Sequence, residues 1–125
     1  MAAKKIVIIE DDADTKEALR DILESRGYEV YTASDGADGL ELLRRLQPRP
    51  CLVVLDLMMP NFNGWDFLDV QRNDPNLCTL PVAVCSAYVE SAKAIRPNAV
   101  IPKPIQLPLL LKTVEKYSSL AAKLH

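Results

Sequence analysis

Ile6-Val7-Ile8-Ile9-Glu10-Asp11-Asp12 is a run of four β-branched residues stopped by three carboxylates. A segment that is apolar at every position, instead of at alternate ones, is the pattern of a strand buried on both faces, as in a parallel sheet covered by helices. The same signal returns at Cys51-Leu52-Val53-Val54-Leu55, which also ends on a carboxylate, Asp56. Outward from these two runs, helical and strand patterns alternate. Ala18, Leu19, Ile22 and Leu23 fall at helical spacing, and Gly27 stands where a glycine ends a helix. Residues 28–33 alternate as a second strand. Ser34-Asp35-Gly36 offers an N-cap to a helix carrying Ala37, Leu40, Leu43 and Leu46, which must stop before Pro48 and Pro50. Asn63-Gly64 is a turn signal ahead of a short third helix with Trp65, Phe67, Leu68 and Val70, the first three expected in the core. Pro81 introduces a fourth strand, Val82-Ala83-Val84-Cys85, and residues 88–95 leave room for about two helical turns. Ala99-Val100-Ile101 reads as a weak fifth strand. Leu107, Leu110, Leu111, Val114, Tyr117, Ala121 and Leu124 form the apolar stripe of a closing helix.

The order βαβαβαβαβα forces right-handed crossovers and a five-stranded parallel sheet with helices on both faces, the doubly wound α/β plan. The chain has 125 residues, enough for one domain with its own core, and its 49% apolar and 26% charged residues are an ordinary globular mix. A net charge of −2 supplies no positive field for a phosphate backbone, which argues against nucleic acid as a direct partner. Cys51, Cys78 and Cys85 are an odd number without CxxC spacing, as expected in a reducing compartment. The N-terminal apolar run is too short for a signal peptide, and no run approaches the roughly 20 residues of a membrane span, so the expectation is a soluble cytoplasmic chain.

Ligands in doubly wound sheets bind at the carboxyl ends of the strands. Glu10, Asp11 and Asp12 follow the first strand, Asp56 the third, Ser86 the fourth and Lys103 the fifth, so all are expected on one rim. Carboxylates converging with a single lysine raise one another's pKa, and a hard cation such as Mg²⁺ resolves the repulsion. Carboxylate, Mg²⁺, hydroxyl and lysine together suit phosphoryl transfer onto the carboxylate. Asp56, alone at the end of the central strand, is the candidate nucleophile. Asp12, just before the first helix, reads better as an N-cap than as a metal ligand. Asp66 and Asp69 read as a solvated face, and Cys85 as inert packing.

These motifs, Ile6-Val7-Ile8-Ile9-Glu10-Asp11-Asp12, Val53-Val54-Leu55-Asp56-Leu57-Met58-Met59-Pro60 with Asn63-Gly64, Ser86-Ala87 and Lys103-Pro104, resemble in order and placement those of response regulator receiver domains of bacterial two-component signal transduction. The resemblance implies the flavodoxin-like (βα)5 sandwich. It further implies that Asp56 accepts a phosphoryl group from a sensor histidine kinase or phosphotransfer protein and that the domain then switches conformation. Asp11, Asp56 and the Met58 carbonyl would hold Mg²⁺ directly and Glu10 through water. Ser86 and Lys103 would contact the phosphoryl group, and Lys103-Pro104 would be cis. Such a domain is a phosphoacceptor and not a turnover enzyme, with a downstream protein partner, and no output domain is expected within residues 1–125.

The second half departs from the family pattern. An aromatic residue is usual three positions before the lysine and here is Val100, Ile105 replaces a common Phe, and Pro102 removes a backbone donor. The short interval from Ser86 to Lys103 predicts a clipped fourth helix. Tyr88, two past Ser86, is placed to shield a phosphoryl group from water. Two other readings stand beside the phosphoacceptor. One is a degenerate receiver that binds partners without phosphorylation. The other is a phosphohydrolase of the haloacid-dehalogenase type, disfavoured because Met58 stands where a second Asp would drive turnover.

Overall fold

The computed structural model describes residues 4–59 and 63–123. Ten elements alternate: β1 (Lys5–Ile9), α1 (Ala13–Ser25), β2 (Glu29–Ala33), α2 (Gly36–Arg45), β3 (Leu52–Asp56), α3 (Gly64–Asn73), β4 (Val82–Ser86), α4 (Val89–Ala94), β5 (Ala99–Pro102) and α5 (Leu107–Lys123). The strands form one parallel sheet in the order β2-β1-β3-β4-β5. The order reverses between β1 and β3, and doubly wound sheets open their ligand crevice at such a point.

Successive strand residues point to opposite faces, so the apolar runs feed two cores. Val7, Ile9, Val53, Leu55, Val82 and Val84 pack with α2, α3 and α4 through Leu40, Leu43, Phe67, Leu68 and Ala92. Ile6, Ile8, Leu52, Val54, Ala83 and Cys85 pack with α1 and α5 through Leu19, Leu23, Leu110, Val114 and Tyr117. This double burial is what the unbroken apolar runs require. It also holds the ends of β1 and β3 rigid where the chemistry-bearing side chains emerge.

Local signals act as their residue types dictate. Asp12 caps α1 by accepting from the Thr15 amide at 2.9 Å, and Asp35 caps α2 by accepting from the Asp38 amide at 2.8 Å. Gly27 ends α1 with φ of +90°, a conformation that costs glycine nothing. The fourth helix is six residues long, as the short interval requires.

Several expectations need correction. Trp65 is exposed, not core, because on α3 it lies roughly 200° around the helix from the buried Phe67. Leu107 is likewise exposed, and the buried stripe of α5 begins a turn later at Leu110. Tyr28 and Cys51 fall just outside their strands, while Asp56 and Pro102 close theirs. Leu124 and Pro60 lie outside the described residues.

Candidate functional site at the strand ends

The end of β1 supplies Glu10, whose backbone stays tied to the sheet because its amide donates to the Ala33 carbonyl at 3.0 Å. Its side chain is buried, and Oε1 accepts from the Asp12 amide at 3.1 Å. Asp11 is exposed beside it. Asp12 turns away to cap α1, so the third carboxylate of the run serves the helix and not the rim.

Asp56 ends β3 and is 3% exposed. Its Oδ1 accepts from the Met58 amide at 3.1 Å and from Lys103 Nζ at 3.0 Å. Lys103 reaches it from just past β5, a third exposed, and its Nζ lies 3.9 Å from Glu10 Oε2. Ser86, 2% exposed, ends β4, and its Oγ accepts from the Tyr88 amide at 2.9 Å. The Lys103 amide donates to the Ser86 carbonyl at 3.0 Å, so the groups at the ends of β4 and β5 are registered to each other by the main chain. The Lys103-Pro104 bond is cis.

Glu10, Asp11 and Asp56 each offer an oxygen, all within 4.8 Å of one another. Mg²⁺ bonds of about 2.0–2.1 Å separate ligand oxygens by roughly 3 to 4 Å, so small side-chain adjustments seat one ion among them. The donor set is all oxygen and anionic, which suits a hard cation.

The site's charge shows in its titration. Burial pushes the Glu10 carboxyl from 4.5 up to about 7; the Asp12 amide and Lys103 pull against this, and the charge of Asp56 adds to it. At Lys103 burial favours the neutral amine, yet the hydrogen bond and charge of Asp56, with the charge of Glu10, raise its pKa and keep it an ammonium. Burial pushes the Cys85 thiol up to about 12, so it stays protonated and inert.

A pH prediction follows from Glu10. Its folded pKa lies above its unfolded one, so its contribution to stability is complete below pH 4.5 and is lost as pH rises through about 7. In metal-free protein the full loss is about 3–4 kcal/mol, from about 1.4 kcal/mol per pKa unit. Urea unfolding in chelator from pH 4.5 to 7.5 should show stability falling in wild type and a flatter profile in Glu10→Gln. Equal slopes in the two proteins would refute the assignment.

Of the rim residues singled out in the sequence, Glu10, Asp11, Asp56, Met58, Ser86 and Lys103 stand at one end of the sheet, while Asp12 is given over to the α1 cap. Val100 is half-buried and packs on the side of α2, α3 and α4. The sequence reading missed the contribution of α3. Asn63 accepts from the Asp66 amide at 3.0 Å while the Asp66 carboxylate accepts from the Asn63 amide at 3.3 Å, a reciprocal cap that starts the helix beside Asp56. The Asn-x-x-Asp spacing was the available signal.

A parallel sheet with three carboxylates and a lysine gathered at the carboxyl ends of its strands defines a small doubly wound α/β domain. The chain belongs to the response regulator receiver domain family, which matches residues 6–115. It is 29% identical over 119 residues to the polar-differentiation response regulator DivK of Brucella anthropi, across 91% of this chain and 95% of that protein. Its fold matches the signal receiver domain of a signal transduction histidine kinase from Syntrophus aciditrophicus with a TM-score of 0.83 and 26% identity, covering 94% of this chain and 91% of that one. It also shares the fold of the Vibrio cholerae chemotaxis protein CheY4, with a TM-score of 0.82 at 23% identity over 93% and 99% of the two chains. The chain is therefore a receiver domain of two-component signalling, a signalling module. Among the described residues no helix is long and apolar enough to cross a membrane.

Proposed function

We propose that Asp56 is the phosphoacceptor, taking a phosphoryl group from the phosphohistidine of a sensor histidine kinase or phosphotransfer protein. The observation that carries this reading is the buried Asp56 carboxylate, hydrogen-bonded to Lys103 and within 4.8 Å of Glu10 and Asp11 oxygens. A carboxylate oxygen of Asp56 forms the new O–P bond as the P–N bond breaks, its electron pair passing to the imidazole nitrogen. Asp11, Asp56 and the Met58 carbonyl would hold Mg²⁺, with Glu10 acting through water. The ion, when bound, offsets the charge that gathers on the phosphoryl oxygens. Lys103 already sits on Asp56 and needs little movement to pair with a phosphoryl oxygen. Ser86 Oγ accepts from the Tyr88 amide, which leaves its own proton free to donate.

Met58 stands two residues past Asp56 with no acid or base, which supports an acceptor that holds its phosphate over an enzyme that turns it over. Among the described residues all three cysteines are free, which favours the reducing cytoplasm. The test is intact-mass measurement after incubation with Mg²⁺ and a small acyl phosphate. Gain of one phosphoryl group, lost with chelator, is the expected result, and no gain would leave a degenerate, phosphorylation-independent interaction module.

Tyr88 lies exposed at the same rim with its amide on Ser86. Shielding by its ring slows attack of water on the acyl phosphate. Tyr88→Ala should speed loss of phosphate by roughly fivefold, the factor that about 1 kcal/mol off a barrier gives. Equal lifetimes of the two phosphorylated proteins would remove this role.

A further inference from the structure

We infer that Gly64 is a positioning residue of this site: its missing side chain lets the first turn of α3 press on the main chain of Asp56 and Leu57, and so fixes where the Asp56 carboxylate and the Met58 carbonyl stand. The inference rests on the phosphoacceptor reading above. A Cβ placed on Gly64 would lie 2.6 Å from the Leu57 Cα, 2.8 Å from the Asp56 carbonyl oxygen and 3.0 Å from the Leu57 Cδ2. Two of these three atoms are backbone and cannot rotate aside.

The approach is locked from both sides. The Gly64 amide donates to the Leu57 carbonyl at 3.2 Å, and the Leu57 amide donates across to the Cys85 carbonyl at 3.4 Å. Behind the first turn, Phe67 is fully buried and Leu68 nearly so, and the Asn63–Asp66 cap closes the helix start. The helix cannot retreat without uncovering Phe67, and β3 cannot shift without breaking its pairing to β4. An added methyl would therefore be absorbed by residues 56–58. Those residues carry both hydrogen bonds to Asp56 Oδ1, from Met58 N and Lys103 Nζ. Reacting groups must be held within about 0.5 Å of their working geometry, and moving a 2.6 Å clash out to an ordinary contact of 3.4 Å takes more than that, so the displacement reaches metal binding and phosphoryl transfer together.

Gly39 supplies a control. The three nearest atoms that a Cβ there would meet all belong to the Ile9 side chain, where those at Gly64 are mostly backbone. The experiment compares wild type, Gly64→Ala and Gly39→Ala. Calorimetry gives Mg²⁺ affinity, intact mass gives the rate of phosphorylation by acetyl phosphate at saturating Mg²⁺, and thermal unfolding gives stability. Gly64→Ala should weaken Mg²⁺ binding and slow adduct formation by roughly tenfold each. Gly39→Ala should lose stability and stay within about twofold of wild type in both readouts. Should Gly64→Ala not fold, Asp66→Ala opens the cap and lets the same turn drift from Leu57 without adding an atom. A severalfold weaker Mg²⁺ affinity is expected there. Wild-type Mg²⁺ affinity in Gly64→Ala or Asp66→Ala, or an equal loss in Gly39→Ala, overturns the inference. Failure of wild type itself to bind Mg²⁺ or gain phosphate would strike the phosphoacceptor reading instead.

Discussion

Replacing Asp56 with Asn should leave the domain folded and unable to carry a phosphoryl group. Asparagine keeps the shape of the side chain and an oxygen that can accept from the Met58 amide and Lys103, the two bonds that Oδ1 receives now. It removes the anionic oxygen that attacks phosphorus and one of the three carboxylates placed to share a cation. Intact mass after Mg²⁺ and acyl phosphate should show a single adduct in wild type and none in Asp56→Asn, with matching circular dichroism spectra. Loss of the Asp56 charge also removes one of the causes that lift the Glu10 carboxyl. An adduct that persists in the variant would move the acceptor to another carboxylate and refute the assignment.

Phe67→Ala carries the largest expected effect on stability. Phe67 is among the largest fully buried side chains, packed in the core between the sheet and α2, α3 and α4. Truncation removes its transfer free energy and leaves a cavity, together about 3–5 kcal/mol. That is a large share of the roughly 5–15 kcal/mol that hold a domain of this size together. Urea unfolding should show a lower midpoint with an unchanged slope. A loss below about 1.5 kcal/mol would mean that the surrounding leucines collapse into the space and that α3 is held by something other than this anchor.

The fold was legible because its strongest signals are local. Unbroken runs such as Ile6-Val7-Ile8-Ile9 suit a strand with two buried faces and little else, and both are buried. The rim was legible for a related reason: parallel topology sends every strand's carboxyl end to the same side, so residues after four different strands had to meet. What the chain did not disclose depends on tertiary approach. Whether Trp65 turns inward depends on where α3 rolls against the sheet, which its own spacing leaves open. Asp66 looked like a solvated charge, and it is exposed, yet it also closes the cap that starts α3. Gly64 read as a turn residue because its reason for being glycine lies in the backbone of residues 56 and 57, which only the assembled structure brings beside it. The short fourth helix followed from counting residues between Ser86 and Lys103, since a chain of fixed length leaves no other solution.

The two outermost strands bear on how the molecule behaves in a crowded solution. An edge strand presents unpaired main-chain donors and acceptors to which a strand from another copy can add, the first step of aggregation. Here one edge, β5, is four residues long and ends in Pro102, which has no N–H to offer. The other, β2, begins with exposed Glu29, held by Lys5 at 3.4 Å, and sets a charge at the mouth of any added pairing. Both borders are blunted, so lateral growth of the sheet is opposed at each end of the strand order.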